Sequence, residues 1–426
     1  MRSKKIFLLM GLTWLNCMLA SAQIITLNEI QKKAEANYPA IVRYDIIEKT
    51  KDFSIANANR GFLPQGTLNA QANWQSDVTQ IDIHMPEGMP PLEIPVPDKD
   101  QYRVVAELNQ LIWDGGNISA QKKSLKANAE LEKKQLDAEV YALRERVNNL
   151  YFGILLMKAN LQQQKILENE LQRTYDNVQT YLQNGVANEA DLSAVKVEQL
   201  KAGQQRIQLE STLEAYIQML SVLAGESLDK NMTFLKPNPE VDMISLIINR
   251  PELNMFTAQE ETLETQKSLL KAKNMPKLSA FAQGGYGKPG LNMFETKFSP
   301  YFLGGVRLSW NFGNLYTYNN DKKKIDLQKQ SVNTQRKTFL YNLNVQISQQ
   351  QTEIEKYQKM MQDDDEIIRH QTLIRKASEV KVENGTMTVS DLMKEINAEE
   401  AVKQAKTLHE IQYLMSIYSL KHTTNQ

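Results

Sequence analysis

Apolar residues recur at alternating spacings of four and three through residues 116–183. Leu136, Val140, Leu143, Val147, Leu150, Ile154, Met157 and Leu161 form one seam, which resumes at Leu171, Tyr175, Val178 and Leu182. That is the a/d pattern of a coiled-coil helix. No proline interrupts the stretch, so a single helix about 100 Å long is predicted at ~1.5 Å per residue. A weaker seam (Phe339, Leu343, Ile347, Ile354, Tyr357, Met361) predicts a second long helix over about 320–382. Each is followed by a return helix. Leu209, Leu213, Tyr216, Leu220 and Leu223 mark the first, and Leu408, Ile411, Met415 and Tyr418 the second. The charge runs Lys322-Lys323-Lys324 and Asp363-Asp364-Asp365-Glu366 read as solvated faces of the second rod.

The turn from rod to return helix occurs twice. Asn184-Gly185-Val186-Ala187-Asn188-Glu189-Ala190-Asp191-Leu192 aligns with Asn384-Gly385-Thr386-Met387-Thr388-Val389-Ser390-Asp391-Leu392. The Asn-Gly pair suits a helix C-terminus, where glycine enters the left-handed region cheaply. Asn188 or Glu189, and Thr388 or Ser390, are candidate first residues of the next helix. Asp191 and Asp391 then fall in or near a first turn, where the helix dipole favours a carboxylate.

A period-two pattern supplies the strands. Leu68, Ala70, Ala72 and Trp74 alternate with Thr67, Asn69, Gln71 and Asn73 behind Pro64, and the stretch behind Pro276 aligns with it up to Tyr286. Such alternation describes a strand with one wet face. Partner strands are predicted over about 101–113, closing on Trp113-Asp114-Gly115-Gly116-Asn117, and over about 301–312, closing on Trp310-Asn311-Phe312-Gly313-Asn314. The connection at 77–100 carries Pro86, Pro90, Pro91, Pro95 and Pro97 and reads as irregular or polyproline-like. That at 288–299 contains glycine. Trp74, Trp113, Tyr286 and Trp310 sit near strand ends. They are open to two readings, ordinary packing or the aromatic belt of a membrane interface.

The pattern is therefore a tandem repeat, with a signal segment at 1–22, a first repeat at 23–230 and a second at 231–426. The link lies near 228–240, where Pro237 and Pro239 stop a helix. Arg2, Lys4 and Lys5, an apolar run from Ile6 to Leu15, and Ala20-Ser21-Ala22 before Gln23 make the three parts of a cleaved export signal. The alternative, a membrane anchor, needs ~20 apolar residues, and the run is shorter. The single cysteine, Cys17, lies inside that segment, so no disulfide, thiolate nucleophile or cysteine metal site is expected beyond it.

Basic and acidic residues balance at 50 each, and removing the three signal cations leaves a formal charge of −3. Nucleic acid is thus a poor partner. No later run of about 18 apolar residues occurs, so α-helical membrane spans are not expected; β-strands give a weaker signal and stay open. Four short strands with one wet and one apolar face cannot close their own barrel. Open edges in lipid cost several kcal/mol per unpaired group, and a membrane barrel needs at least about eight strands. Several chains must share one barrel, and three would supply twelve strands.

The ordered set of paired Asn-Gly…Asp-Leu turns, Trp113-Asp-Gly-Gly-Asn, the helix ends at Pro64 and Pro276 and the repeat order resembles the TolC-like outer-membrane efflux family across the mature chain. The resemblance implies an α+β membrane protein. It would be a homotrimer with a 12-stranded outer-membrane β-barrel and a periplasmic α-helical tunnel of coiled-coil hairpins. It implies an exit duct for substrates handed on by an inner-membrane pump and a periplasmic adaptor (membrane fusion) protein, seated in outer-membrane lipid of a Gram-negative cell. On this resemblance Asn184, Gly185, Asp191, Leu192, Asn384, Gly385, Asp391 and Leu392 form the periplasmic tips where adaptors dock. Asp391 matches a pore-facing carboxylate, a threefold cation ring; as a helix cap it has a second reading. Where the family often carries another carboxylate three residues on, this chain has Lys394. Where some members have a gating Tyr and Arg, it has Val382 and Met387.

No enzyme is expected, and no cofactor or metal. His84, His370, His409 and His422 are scattered, and no G-x-S-x-G, P-loop or H-E-x-x-H occurs. Gly284, Gly285 and Gly287 do not follow a long apolar strand or open a helix, so they do not read as a nucleotide loop. The competing class is a secreted or periplasmic coiled-coil adaptor without a channel. An adaptor would show one hairpin flanked by small β-domains, whereas two hairpins occur here, each beside a strand pair.

Overall fold

The computed structural model describes residues 24–79, 81, 88, 96–238 and 246–426. The signal segment, Pro86, Pro90, Pro91, Pro95, His84 and Pro239 lie outside the described residues. In chain order the elements are β1 (Ile24–Ile25), α1 (Leu27–Asn37), α2 (Val42–Asn59), β2 (Gln65–Trp74), β3 (Asp100–Trp113), α3 (Asn117–Gln183) and α4 (Glu189–Ala224). There follow β4 (Thr233–Phe234), α5 (Pro251–Lys273), β5 (Lys277–Lys288), β6 (Ser299–Ser309), α6 (Gly313–Glu383) and α7 (Val389–Thr424). Single-turn 3₁₀ helices occupy Pro39–Ile41 and Arg60–Phe62. Among the described residues no helix is long and apolar enough to cross a membrane.

The chain divides into two compact units. One comprises the chain up to Arg43, Gln135–Leu253 and Lys337–Gln426; the other comprises Tyr44–Lys134 and Asn254–Arg336. In the first unit the heptad seam of α3 is the core. Leu143, Val147 and Ile154 are buried with Leu213, Ile217 and Leu220 of α4 and with Ile411 and Leu414 of α7. Burying such a side chain is worth roughly 1.5–3 kcal/mol, which offsets the polarity of the outer faces. The two-residue strands β1 and β4 pair in parallel. Tyr151 pins them, its hydroxyl 2.8 Å from the carbonyl oxygens of both Ile25 and Leu235.

The second seam is buried at Leu343, Ile347 and Ile354. Helix α6 starts at Gly313, several residues before the expected start, because Asn311 accepts from the Gly313 amide at 3.0 Å and opens the helix there. The predicted strand end at Phe312 is correspondingly too late. One charge-run reading is also corrected. Asp364 is 5% exposed, its carboxylate 3.0 Å from Nδ1 of His409 on α7. Its neighbours Asp363, Asp365 and Glu366 are exposed. Leu408 of the second return helix is exposed rather than core.

The second unit is built on a four-stranded antiparallel sheet in the order β2-β3-β5-β6. The Trp113-Asp-Gly-Gly-Asn motif makes its sharp exit into α3. Buried Asp114 accepts from the amides of Gly116 (2.8 Å) and Ile118 (2.5 Å), satisfying donors at the helix start. Gly115 has φ +69°, and a Cβ there would lie 2.4 Å from Cβ of Met275, so only glycine fits.

Candidate functional site: the helical tip and the two-faced sheet

Both hairpins of the first unit turn by the same backbone scheme. In the first, the Gly185 amide donates to the Leu182 carbonyl at 3.1 Å and the Val186 amide to the Tyr181 carbonyl at 2.8 Å. In the second, Gly385 donates to Val382 at 2.9 Å and Thr386 to Lys381 at 2.8 Å. Gly185 and Gly385 have φ +75° and +70°. These are Schellman-type ends, with glycine left-handed and the last carbonyls satisfied. Asn184 and Asn384 occupy the position before each glycine.

The return helices are capped at once. Asn188 accepts from the Asp191 amide and its own amide donates back to the Asp191 carboxylate, both at 3.1 Å, a reciprocal capping box. Thr388 accepts from the Asp391 amide at 3.2 Å and donates its hydroxyl to Asp391 Oδ2 at 2.7 Å. Lys394 completes that site, with Nζ 2.8 Å from Asp391 Oδ1. Lys394 and then Thr388 hold the Asp391 carboxyl below the usual carboxylate range. Leu392 is buried with Val389, Met393, Ile396 and Val382. Leu192 and Met387 pack against the same cluster. So Val382 is buried and Met387 half-buried against this apolar cluster.

Above the tip lies a charged knot that no local pattern announces. Arg375 of α6 is 2.6 Å from Glu170 of α3 and also pairs with Glu379 and with Glu399 of α7. Glu399, 4% exposed at its side chain, also takes Lys403 and the Thr372 hydroxyl, each at 2.8 Å. Neighbouring Glu400 is buried and accepts from Gln404 at 3.1 Å. Burial pushes the Glu400 and Glu379 carboxyls up. Burial also presses on Glu399, but Lys403, Thr372 and Arg375 hold it below its ordinary value. The members stand 170, 375 and 399 residues along the chain, so only the packed helices bring them together.

In the second unit the register separates the sheet faces. Leu68, Ala106, Gly284 and Phe302 lie in one row, and Ala70, Val104, Tyr286 and Pro300 in the next. That face is apolar yet open: Leu68, Leu108, Phe302, Val306 and Leu308 are 74%, 50%, 73%, 72% and 68% exposed. The opposite face carries Thr67, Asn69, Gln71, Asn73, Arg103, Glu107, Gln283 and Arg307. Trp74 and Tyr286 stand toward one end of the apolar face. Trp113 and Trp310 stand at the other, Trp113 opposite Leu278 after a bulge that shifts the register. The Trp310 indole donates to the Asn274 carbonyl at 3.1 Å. From Leu278 to Tyr286 the strand runs about 26 Å at ~3.3 Å per residue, close to the ~25 Å apolar band of outer-membrane barrels.

Comparison with known proteins agrees with this anatomy. Residues 32–226 match the model of a family described as outer membrane efflux protein. The solved structure of the outer membrane protein VceC of Vibrio cholerae is 13% identical, with TM-score 0.66 over 93% of this chain and 95% of that one. The Campylobacter jejuni CmeC outer membrane channel is 15% identical, with TM-score 0.65 over 93% and 85%. The open state of the Neisseria gonorrhoeae MtrE outer membrane channel is 12% identical, with TM-score 0.64 over 93% and 88%. No curated protein matches the sequence. The structures carry the fold, which is that of these outer-membrane channels, and over residues 32–226 the sequence is similar to outer membrane efflux proteins.

Proposed function

We propose that three copies of this chain close a 12-stranded barrel in outer-membrane lipid and continue as a helical duct into the periplasm. The observation that carries this reading is the sheet. Its apolar face is uncovered, its polar face is amide-rich, and β2 and β6 are its edges. A β6 edge meeting the β2 edge of a neighbouring copy continues the antiparallel order, which removes every open edge from the hydrocarbon. Trp74, Tyr286, Trp113 and Trp310 then form the two interfacial belts. The repeats at 23–230 and 231–426 each supply two strands of this sheet and one hairpin.

The tip residues Asn184, Gly185, Asp191, Leu192, Asn384, Gly385, Asp391 and Leu392 present two rigid, nearly identical turns to a periplasmic adaptor protein, which joins the duct to an inner-membrane pump. Asp391 faces the narrow end as a ring whose pull on cations is tempered by Lys394. Among the described residues no group of three His, Cys, Asp or Glu could hold a metal ion. The test is assembly: mature protein should fractionate with outer membrane and run as a trimer on a denaturing gel unless boiled. Recovery as a soluble monomer would sink the proposal and favour the adaptor reading.

A further inference from the structure

The polar face of the sheet carries an unbalanced charge. Register places Lys277, Arg103 and Arg307 on it against a single carboxylate, Glu107, a surplus of two positive charges per chain. Arg307 is held over the Phe281 ring at 4.6 Å and reaches Glu107 at 3.6 Å, and Gln283 donates to the same carboxylate at 2.8 Å. Glu107 is thereby committed to its neighbours on the sheet. Among the described residues no carboxylate contacts Arg103, which is exposed and opens onto a shallow cleft with Gln71, Asn73 and Gln101. The side-chain amides of that cleft can donate to an anion while Arg103 supplies charge. Asp100 and Lys288 lie on the apolar face at strand ends, and Lys288 is paired with Asp98 at 2.5 Å.

We infer that the barrel lumen is a cationic, amide-lined passage that favours anionic solutes. The inference rests on the trimeric-barrel reading, in which the polar face lines the lumen and the surplus is multiplied by three. A ring of fixed cations inside low-dielectric walls concentrates anions and repels cations. Arg103 and the cleft amides would hand an anion along by exchanging hydrogen bonds, since each contact is replaceable by the next amide.

The experiment is single-channel recording of the purified trimer in planar bilayers under a potassium chloride gradient. Wild type is compared with an Arg103→Gln/Lys277→Gln double variant and, independently, with Asn69→Asp, which adds a carboxylate to the same face. Both variants should lower the chloride-to-potassium permeability ratio, the double variant by about threefold. Citrate added on the barrel side should slow the wild-type current and do so less in both variants. The helical tip is unchanged throughout, so its own selectivity cancels. Conducting trimers whose ratio and citrate response are the same in all three forms overturn the inference alone. Trimers that reach the outer membrane yet conduct in none of the forms overturn the channel reading beneath it. Should the double variant fail to assemble, Asn69→Asp decides.

Discussion

At the scale of single residues, the tip shows how a short motif reads two ways. Asn-Gly at a rod's end predicts a left-handed glycine, and both glycines adopt it with open space for 4 Å around the point where a Cβ would sit. Gly385→Ala should therefore cost only the left-handed penalty, roughly 1–2 kcal/mol, without steric damage. Gly385→Pro is stricter, since proline's φ is locked negative and its missing N–H would also break the bond to Val382. We expect Gly385→Pro to abolish efflux while trimers persist in the outer membrane; normal efflux would remove the tip from the mechanism. The Asp391 carboxylate is shared between its cap contacts with Thr388 and an ion pair with Lys394. Lys394→Gln should free that charge and raise cation preference in bilayers, and Asp391→Asn should lower it. If both leave selectivity untouched while Asp391→Asn lowers trimer stability, the residue acts as a helix cap only.

Between elements, what was legible followed from period. The a/d seams and return helices could be read because a long repeat averages over local exceptions, and the four strands because Pro64, Pro276 and the Trp-Asp-Gly-Gly-Asn motif punctuate them. The β1–β4 pairing could not, since two-residue strands have no period. Nor could the Arg375 knot or the Asp364–His409 contact, because tertiary packing alone joins their helices. Asp364 lay hidden inside a charge run whose other members are solvated. The knot has a pH signature. Glu400 and Glu379 have raised carboxyl pKa values in the fold, so their contribution to stability is fully present below the ordinary carboxylate value of 4.5 and is lost as pH rises through the folded value. Glu399 works in the opposite sense, its contribution being present above 4.5 and lost as pH falls through its folded value. Glu400→Gln removes a desolvated charge while keeping a hydrogen-bonding side chain. Its trimer should melt about 2 °C higher at neutral pH, with a smaller difference toward pH 4.5. An unchanged or lower melting point at neutral pH would mean that the Glu400 carboxylate is compensated by partners that glutamine cannot satisfy.

For the whole molecule, the decisive question is what covers the apolar face of the sheet. Leu108 sits on it opposite Ala282, halfway along β5 between Leu278 and Tyr286, and is 50% exposed in the single chain. If that face met water, Leu108→Arg would be an ordinary surface change within about ±0.5 kcal/mol. In a lipid-facing barrel the same change puts a guanidinium near the bilayer midplane, at about 2–4 kcal/mol per chain, and three chains share the insult. If the barrel staples a trimer, the heat-resistant band on an unboiled gel should disappear. The coiled-coil unit has its own core of Leu143, Val147, Ile154, Ile217 and Leu414 and should keep its helical circular dichroism. Leu308→Arg lies beside the Trp310 end of the same face. There the side chain can snorkel to the headgroups, so a milder loss of trimer is expected. A depth-dependent series of this kind, severe at Leu108 and mild at Leu308, is the mark of a bilayer. Equal and small effects at both positions would instead mean that the face is covered by water or protein, and the barrel would have to be abandoned.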